Sequence, residues 1–265
     1  MNGQLTAAGT SQLQVMTWNL QHASAERTVR QVAWLADQPG ADVAILTEVS
    51  AGAGMAALTE SLTARGYGVV VPEVSGPRTV VVATRVGAAI RVEGLYRGRL
   101  AHRAVGARLV LPGGGMCGVI GLYVPSRGPR DRRNVDKRAF QVDVTAALPG
   151  MVRRFGDAPV VVGGALNVVE PGHRPRHAVF DAWEYDFYRG FDTAGLTDGF
   201  RHLHPDVEDH SWFGRAQRGY RFDHLFCTTA HIDAVVGSAY LHEPRQHNLS
   251  DHAPHTITLQ VPTPT

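Results

Sequence analysis

The stretch Val160-Val161-Val162-Gly163-Gly164-Ala165-Leu166-Asn167 carries the fold assignment. Three β-branched residues in succession predict a strand buried on both faces, as in the interior of a packed sheet. The two glycines are expected to end that strand in a tight turn. Leu166 then returns to the core and leaves Asn167 at the mouth of the sheet, where polar side chains on buried strands carry chemistry.

Working outward, the same signature recurs along the chain. Residues 13–20 alternate around Val15, Met16 and Trp18 and predict a strand closing on Asn19, and the apolar run 43–46 delivers Thr47 and Glu48. Between them, Val29, Val32, Ala33 and Leu35 predict a helix over 25–37 that Pro39-Gly40 stops. A second helix over 55–65 is closed by Gly66. Strands are expected at 67–71, 79–84 and 88–95, then a hairpin of 104–111 and 116–124 around Gly113-Gly114-Gly115, with Tyr123 near its end. A basic loop over 127–133 leads into a helix over 135–148, with Ala139, Phe140, Val142 and Ala146 toward its apolar side. After the central stretch come a polar loop at 170–176, a helix at 180–194, a segment at 197–204 and strands at 211–213, 222–228, 234–239 and 255–259. No compositional break divides the chain. Residues 13–262 therefore predict one α/β (α+β) domain of two packed sheets with helices outside, after a disordered lead-in over 1–12.

Composition narrows the setting. With 265 residues, 44% hydrophobic and 19% charged, the chain builds a core without disulfide or metal staples. A net charge of +2 neither requires a nucleic-acid partner nor excludes one. Cys117 and Cys227 sit in apolar runs and read as small buried hydrophobes, which makes a zinc site improbable and a reducing cytoplasm the simplest setting. The first 14 residues lack the features of a secretion signal, and no apolar run reaches membrane-spanning length.

Polar residues collect at strand ends: Asn19, Glu48, Tyr123, Asn167 and the triplet Ser250-Asp251-His252, with Asp223 in a further strand. One such residue is ordinarily a cap or turn; six in one chain are harder to dismiss, because a packed sheet brings its strand ends to a common rim. Carboxylates with amides and a histidine suit a hard cation such as Mg²⁺, and that set with a tyrosine suits attack on a phosphate.

The segments Thr17-Trp18-Asn19-Leu20, Leu46-Thr47-Glu48, Gly121-Leu122-Tyr123-Val124-Pro125, Gly164-Ala165-Leu166-Asn167, Arg221-Phe222-Asp223 and Leu249-Ser250-Asp251-His252 resemble the endonuclease/exonuclease/phosphatase superfamily, in its order and at similar spacing. Within it the chain looks most like exonuclease III and the abasic-site endonucleases; residues 195–213 and Lys137 fit that branch. The resemblance implies a four-layered αββα sandwich of two mostly antiparallel sheets, with the site at one edge. It also implies roles. Glu48 would be the principal ligand of Mg²⁺ (or Mn²⁺), helped by Asn19 and Asp251. Asp223 would orient His252, which would bind or protonate a phosphoryl oxygen. Tyr123 and Asn167 would hold the scissile phosphate and the attacking water. The implied partner is DNA with abasic, nicked or 3′ ends, bound by a monomer. A small nucleotide, RNA, or a catalytically silent binding role are the alternatives.

The chain departs from the family at Ala165, where an aspartate is expected to polarise or place the attacking water. Alanine does neither. The departure is read as a disarmed variant in preference to a natural pseudo-enzyme, because the other motif residues are intact. Thr47 replaces a frequent glutamine and Gln21 a frequent acid, which touches abasic specificity but not phosphodiester chemistry.

For substrate contact the candidates are Arg127, Lys137, Arg174 and Trp212. Arg127, Arg130, Arg132, Arg133 and Lys137 could follow a phosphate backbone or form an ordinary solvated loop. Trp212, Phe213 and Tyr220 could stack on a nucleotide or belong to the core. His202, His204 and His210 near Asp206 and Asp209 read as surface histidines, not a second metal site.

Overall fold

The computed structural model describes residues 10–38, 41–112, 114–128 and 131–262, with residues 10, 131–133 and 262 described by backbone alone. The chain runs β1 (Thr10–Asn19), α1 (Ala25–Asp37), β2 (Val43–Val49), α2 (Ala53–Thr63), β3 (Gly68–Val70), β4 (Thr79–Thr84) and β5 (Ala88–Arg91). The hairpin β6 (Ala104–Val110) and β7 (Met116–Tyr123) is followed by α3 (Asp131–Arg153), β8 (Val160–Ala165), α4 (Ala182–Thr193), β9 (Leu196–Asp198) and α5 (Gly199–Leu203). A short hairpin of β10 (Trp212–Phe213) and β11 (Gly219–Tyr220) precedes β12 (Asp223–Thr228), β13 (Val235–Tyr240), α6 (Glu243–Gln246) and β14 (His255–Pro262). The strand expected from Leu13 starts earlier, because Thr10 already pairs with Pro262; residues 10–12 are not lead-in, and 1–9 lie outside the described residues.

Two six-stranded sheets form, in the orders β13-β14-β1-β2-β4-β3 and β5-β6-β7-β8-β12-β9. Only β1/β2 and β7/β8 pair in parallel among the described strands, so both sheets are mostly antiparallel. Strand alternation assigns the layers. Val15, Val43, Ile45, Val80, Val119, Val161, Leu225 and Ile257 fill one cluster between the sheets. Met16, Trp18, Leu46 and Val81 face the other way, against Val32 and Leu35 of α1 and Leu58 and Leu62 of α2. Ile120, Leu122, Val160, Val162 and Phe226 face Phe140, Val144 and Leu148 of α3 and Phe187 and Phe191 of α4. Helix, sheet, sheet, helix is the four-layered sandwich the motifs implied.

The glycines of the central stretch do not end it. β8 runs through Gly163 and Gly164 to Ala165. A Cβ on Gly163 would collide with the His224 carbonyl, and one on Gly164 with that of Leu122. The glycines let three strands approach closely. Helix α3 also extends beyond the expected 135–148, through Pro149, because Leu148 and Met151 are both buried in the outer cluster. Its buried stripe is Lys137, Phe140, Gln141, Val144 and Leu148, while Val142 is 62% exposed. Among the described residues no helix is long and apolar enough to cross a membrane.

Candidate active site

Parallel pairing places Asn19 opposite Thr47 at the C-terminal ends of β1 and β2, and Tyr123 opposite Ala165 at those of β7 and β8. The sandwich puts these ends on one rim. Glu48 has φ +53° at a register shift between Leu46 and Val49, which swings its carboxylate off the sheet. Asn167 has φ +52°, two residues past Ala165. Both are conformations L side chains rarely adopt, and both belong to the lining of the same cleft.

That cleft has about 530 Å³ of space and is lined by the polar residues Glu48, Asn167, Asp251 and His252 and by the aromatic residues Phe180, Trp212, Tyr220 and Phe222. Tyr123 stands one hydrogen bond behind it, its hydroxyl donating to Glu48 Oε1 at 2.8 Å. Burial, then the charge of Glu48, pushes the Tyr123 hydroxyl well above its ordinary range and keeps the proton on oxygen. Asp223 is fully buried and its Oδ2 receives His252 Nδ1–H at 2.6 Å. Burial lowers the His252 pKa, but the charge and hydrogen bond of Asp223, with Asp251 and Glu48, outweigh it and raise the net value. The ring thus turns Nε2 toward the cleft, 4.0 Å from Asp251 Oδ1. Ser250 fixes the turn, donating to the Asn19 carbonyl at 2.6 Å and accepting from the His252 amide at 3.1 Å.

Asn167 uses Nδ2 on the Val124 carbonyl at 2.8 Å. Asn19 is almost fully buried; its Oδ1 accepts the Gln21 amide at 2.9 Å and its Nδ2 has no hydrogen-bond partner among the described residues. Asp223 Oδ1 is likewise buried and unpartnered. Ala165, in register with Asp223, is fully buried in the inter-sheet cluster.

Three substrate candidates change meaning. Lys137 is no cleft residue: it is fully buried, donating to Glu184 Oε1 at 2.5 Å and the Asn167 carbonyl at 2.7 Å. It shares the stripe of Phe140 and Val144, and its positive charge is matched inside. Arg174 is exposed on the rim of a different cavity with Glu170, Tyr188 and Arg201. Arg127 does line the cleft, but ion pairs with Asp181 at 2.8 Å and Glu184 at 2.5 Å occupy it. The side chains of Arg130, Arg132 and Arg133 lie outside the described residues. Trp212 faces the cleft and donates to Asp251 Oδ2 at 3.0 Å. Tyr220 stacks on Phe222 at 5.0 Å and on His177 at 3.7 Å, whereas Phe213 packs beneath Arg245.

Two contributors escaped the sequence reading. Arg103 lies over the Tyr123 ring, 4.4 Å from its centroid. His22 Nε2 lies 3.5 Å from Glu48 Oε2. His22 lies three residues past β1 and Arg103 just before β6, both outside the strand-end segments that drew attention to the others.

The four-layered fold is shared with solved structures of nucleases, none above 21% identity. The chain is similar to an AP endonuclease from Archaeoglobus fulgidus (TM-score 0.75, 20% identity, 94% of this chain and 100% of that one). It is similar to the 3′-5′ exonuclease NExo from Neisseria meningitidis (TM-score 0.72, 21% identity, 92% and 98% covered) and to an AP endonuclease from Leishmania major (TM-score 0.73, 18% identity, 95% and 88%). A curated Bacillus subtilis (strain 168) protein named exodeoxyribonuclease is 24% identical over 148 residues; the match spans 50% of this chain and 58% of that protein's length. No family profile matches the sequence. The resemblance read from the motifs thus holds, at the level of fold.

Proposed function

We propose that the chain is a divalent-cation-dependent phosphodiester hydrolase acting on DNA, of the exonuclease III and abasic-endonuclease type, with its chemical step attenuated by Ala165. One observation carries the reading: Glu48, Asn167, Asp251 and the Asp223–His252 pair meet at one cleft that aromatic side chains also line. The related solved structures include one described as a 3′ phosphatase bound to a product DNA hairpin, which favours DNA over a small nucleotide or RNA.

The donor set suits a hard cation. Glu48 and Asp251 are carboxylates on the cleft, and no arginine or lysine pairs with either among the described residues. Among the described residues no group of three His, Cys, Asp or Glu side chains is placed to hold a metal ion, so the protein would supply Glu48 and Asp251 and leave the rest of an Mg²⁺ shell to water and substrate phosphate. Asn19 would add one lone pair of an oxygen already engaged by Gln21. When bound, such a cation supplies neutralisation of phosphoryl charge.

The chain's own residues do the rest. His252, held by Asp223, presents Nε2–H to a phosphoryl oxygen whose charge grows in the transition state. Tyr123 fixes one Glu48 oxygen and leaves the other free. Asn167, with Nδ2 engaged internally, offers its amide oxygen to the attacking water. A neutral amide orients that water but takes no proton from it, and Ala165 cannot.

The experiment is Ala165→Asp on labelled duplexes carrying an abasic site, a nick or a blunt end, with a mononucleotide panel, with and without EDTA. A gain on the order of 10²–10⁴ in EDTA-sensitive cleavage is expected. A variant as inert as the parent on every substrate overturns the enzyme reading and leaves a DNA-binding module.

A further inference from the structure

We infer that His22 is a nitrogen ligand to the cation held by Glu48, so that this site takes a transition-metal ion such as Mn²⁺ more tightly than Mg²⁺. The inference rests on the reading of Glu48 as a cation ligand.

His22 reaches Glu48 twice. Its backbone N–H donates to the Glu48 carbonyl at 3.2 Å, and its Nε2 stands 3.5 Å from Glu48 Oε2. That carboxylate oxygen is the one Tyr123 leaves free. Nε2 is buried and has no hydrogen-bond partner among the described residues. An unpartnered imidazole nitrogen beside a carboxylate costs free energy unless something joins the two. The spacing fits such a bridge: two donors about 2.1 Å from a shared ion stand roughly 3.0–3.5 Å apart across angles from octahedral to tetrahedral.

The backbone points the same way. Gln21 and His22 have φ +52° and +46°, a left-handed pair without glycine or asparagine. Arg27 anchors the turn, donating to the Gln21 carbonyl and, at 3.1 Å, to Gln21 Oε1. The strained turn is what aims the ring at Glu48. Adding imidazole to a carboxylate-and-amide set moves preference toward Mn²⁺, because Mg²⁺ favours oxygen alone.

The test needs no turnover. Mn²⁺ and Mg²⁺ affinities are measured by calorimetry on the full chain, and the Mn²⁺ complex by pulsed electron paramagnetic resonance for ¹⁴N coupling. The variants are His22→Gly, which suits the left-handed backbone and should fold, and Glu48→Gln. The inference expects ¹⁴N coupling in the parent, its weakening or loss in His22→Gly, and a fall of about tenfold or more in Mn²⁺ affinity with a smaller change for Mg²⁺. Mn²⁺ binding that Glu48→Gln abolishes but His22→Gly leaves unchanged, ¹⁴N signal included, overturns the His22 assignment and spares the reading of Glu48. Mn²⁺ binding indifferent to Glu48→Gln overturns both.

Discussion

Arg221 and Asp223 are two residues apart and both fully buried, yet they belong to opposite kinds of charge cluster. Around Arg221 the charges balance: its guanidinium pairs with Glu170 and with Asp198 at 2.8 Å, and Arg201 bonds Glu170 at 2.6 Å. Two arginines face two carboxylates, and the Phe200 ring lies under the Arg221 guanidinium. Around Asp223 they do not balance. Among the described residues, Glu48, Asp223 and Asp251 have only His252 and His22 as basic partners within 4.0 Å, and Asp223 Oδ1 has no hydrogen-bond partner. Burying charge is tolerable when it is paired, so a balanced cluster needs no further explanation. An excess of carboxylate at a cleft is what the proposed cation role asks for. Lys137 with Glu184 and Arg127 belongs with the balanced kind, which is why it left the substrate-contact set.

The strongest way to break that division is Lys137→Met. It leaves Glu184 with Arg127 alone and should cost about 3 kcal/mol or more of stability, read as a shift of the urea midpoint, with DNA affinity unchanged. A tenfold loss of DNA affinity in a variant of parental stability would put Lys137 back among the substrate contacts.

Much of the cleft was legible beforehand, for a physical reason. Asn19, Glu48, Tyr123 and Asn167 end or follow a strand, while Asp223 opens β12 and His252 lies just before β14; antiparallel pairing with β8 and β1 brings those starts to the same rim. What was not legible depends on partners distant in sequence. Lys137 looks like a surface cation until Glu184, 47 residues on, is seen beside it. The stripe of residues 137, 140, 144 and 148 is present in the sequence, but a lysine at its head breaks the apolar pattern while the exposed Val142 imitates it. The aromatic lining draws Phe180 from the residues before α4, Trp212 and Tyr220 from the short hairpin and Phe222 from the edge of β12, so no local pattern announces it. Gly163 and Gly164 read as a turn because the competing explanation, close packing of three strands, exists only in tertiary structure.

Acid sharpens the comparison next. Burial raises the Glu170 pKa, but hydrogen bonds and charge from Arg201 and Arg221 outweigh it and bring the group down from 4.5 to about 2. A folded pKa below the unfolded one contributes stability that is present above the unfolded value and lost as pH falls through the folded one. The parent should therefore lose stability between about pH 5 and pH 2, with Glu170 accounting for about 2–3 kcal/mol of it. Glu170→Gln should be less stable at neutral pH and have a shallower acid limb in urea unfolding. An acid limb of parental slope would mean that the Arg221 cluster is not the balanced, structural one.

The smallest effect tests the cleft through its aromatic lining. Trp212 stacks near Phe222 at 5.7 Å while its indole N–H holds Asp251. Stacking of a nucleobase on an aromatic ring is worth about 1–3 kcal/mol, so Trp212→Ala should weaken single-stranded DNA binding roughly 5- to 150-fold in fluorescence anisotropy. The loss should not change the salt slope, because no phosphate contact is removed. Trp212→Phe separates the two roles of the side chain: it keeps a ring for the base and gives up the hydrogen bond to Asp251. If Trp212→Phe binds DNA like the parent and Trp212→Ala does not, the lining acts by stacking. If both weaken alike, Trp212 works through its hydrogen bond to Asp251 and not by stacking.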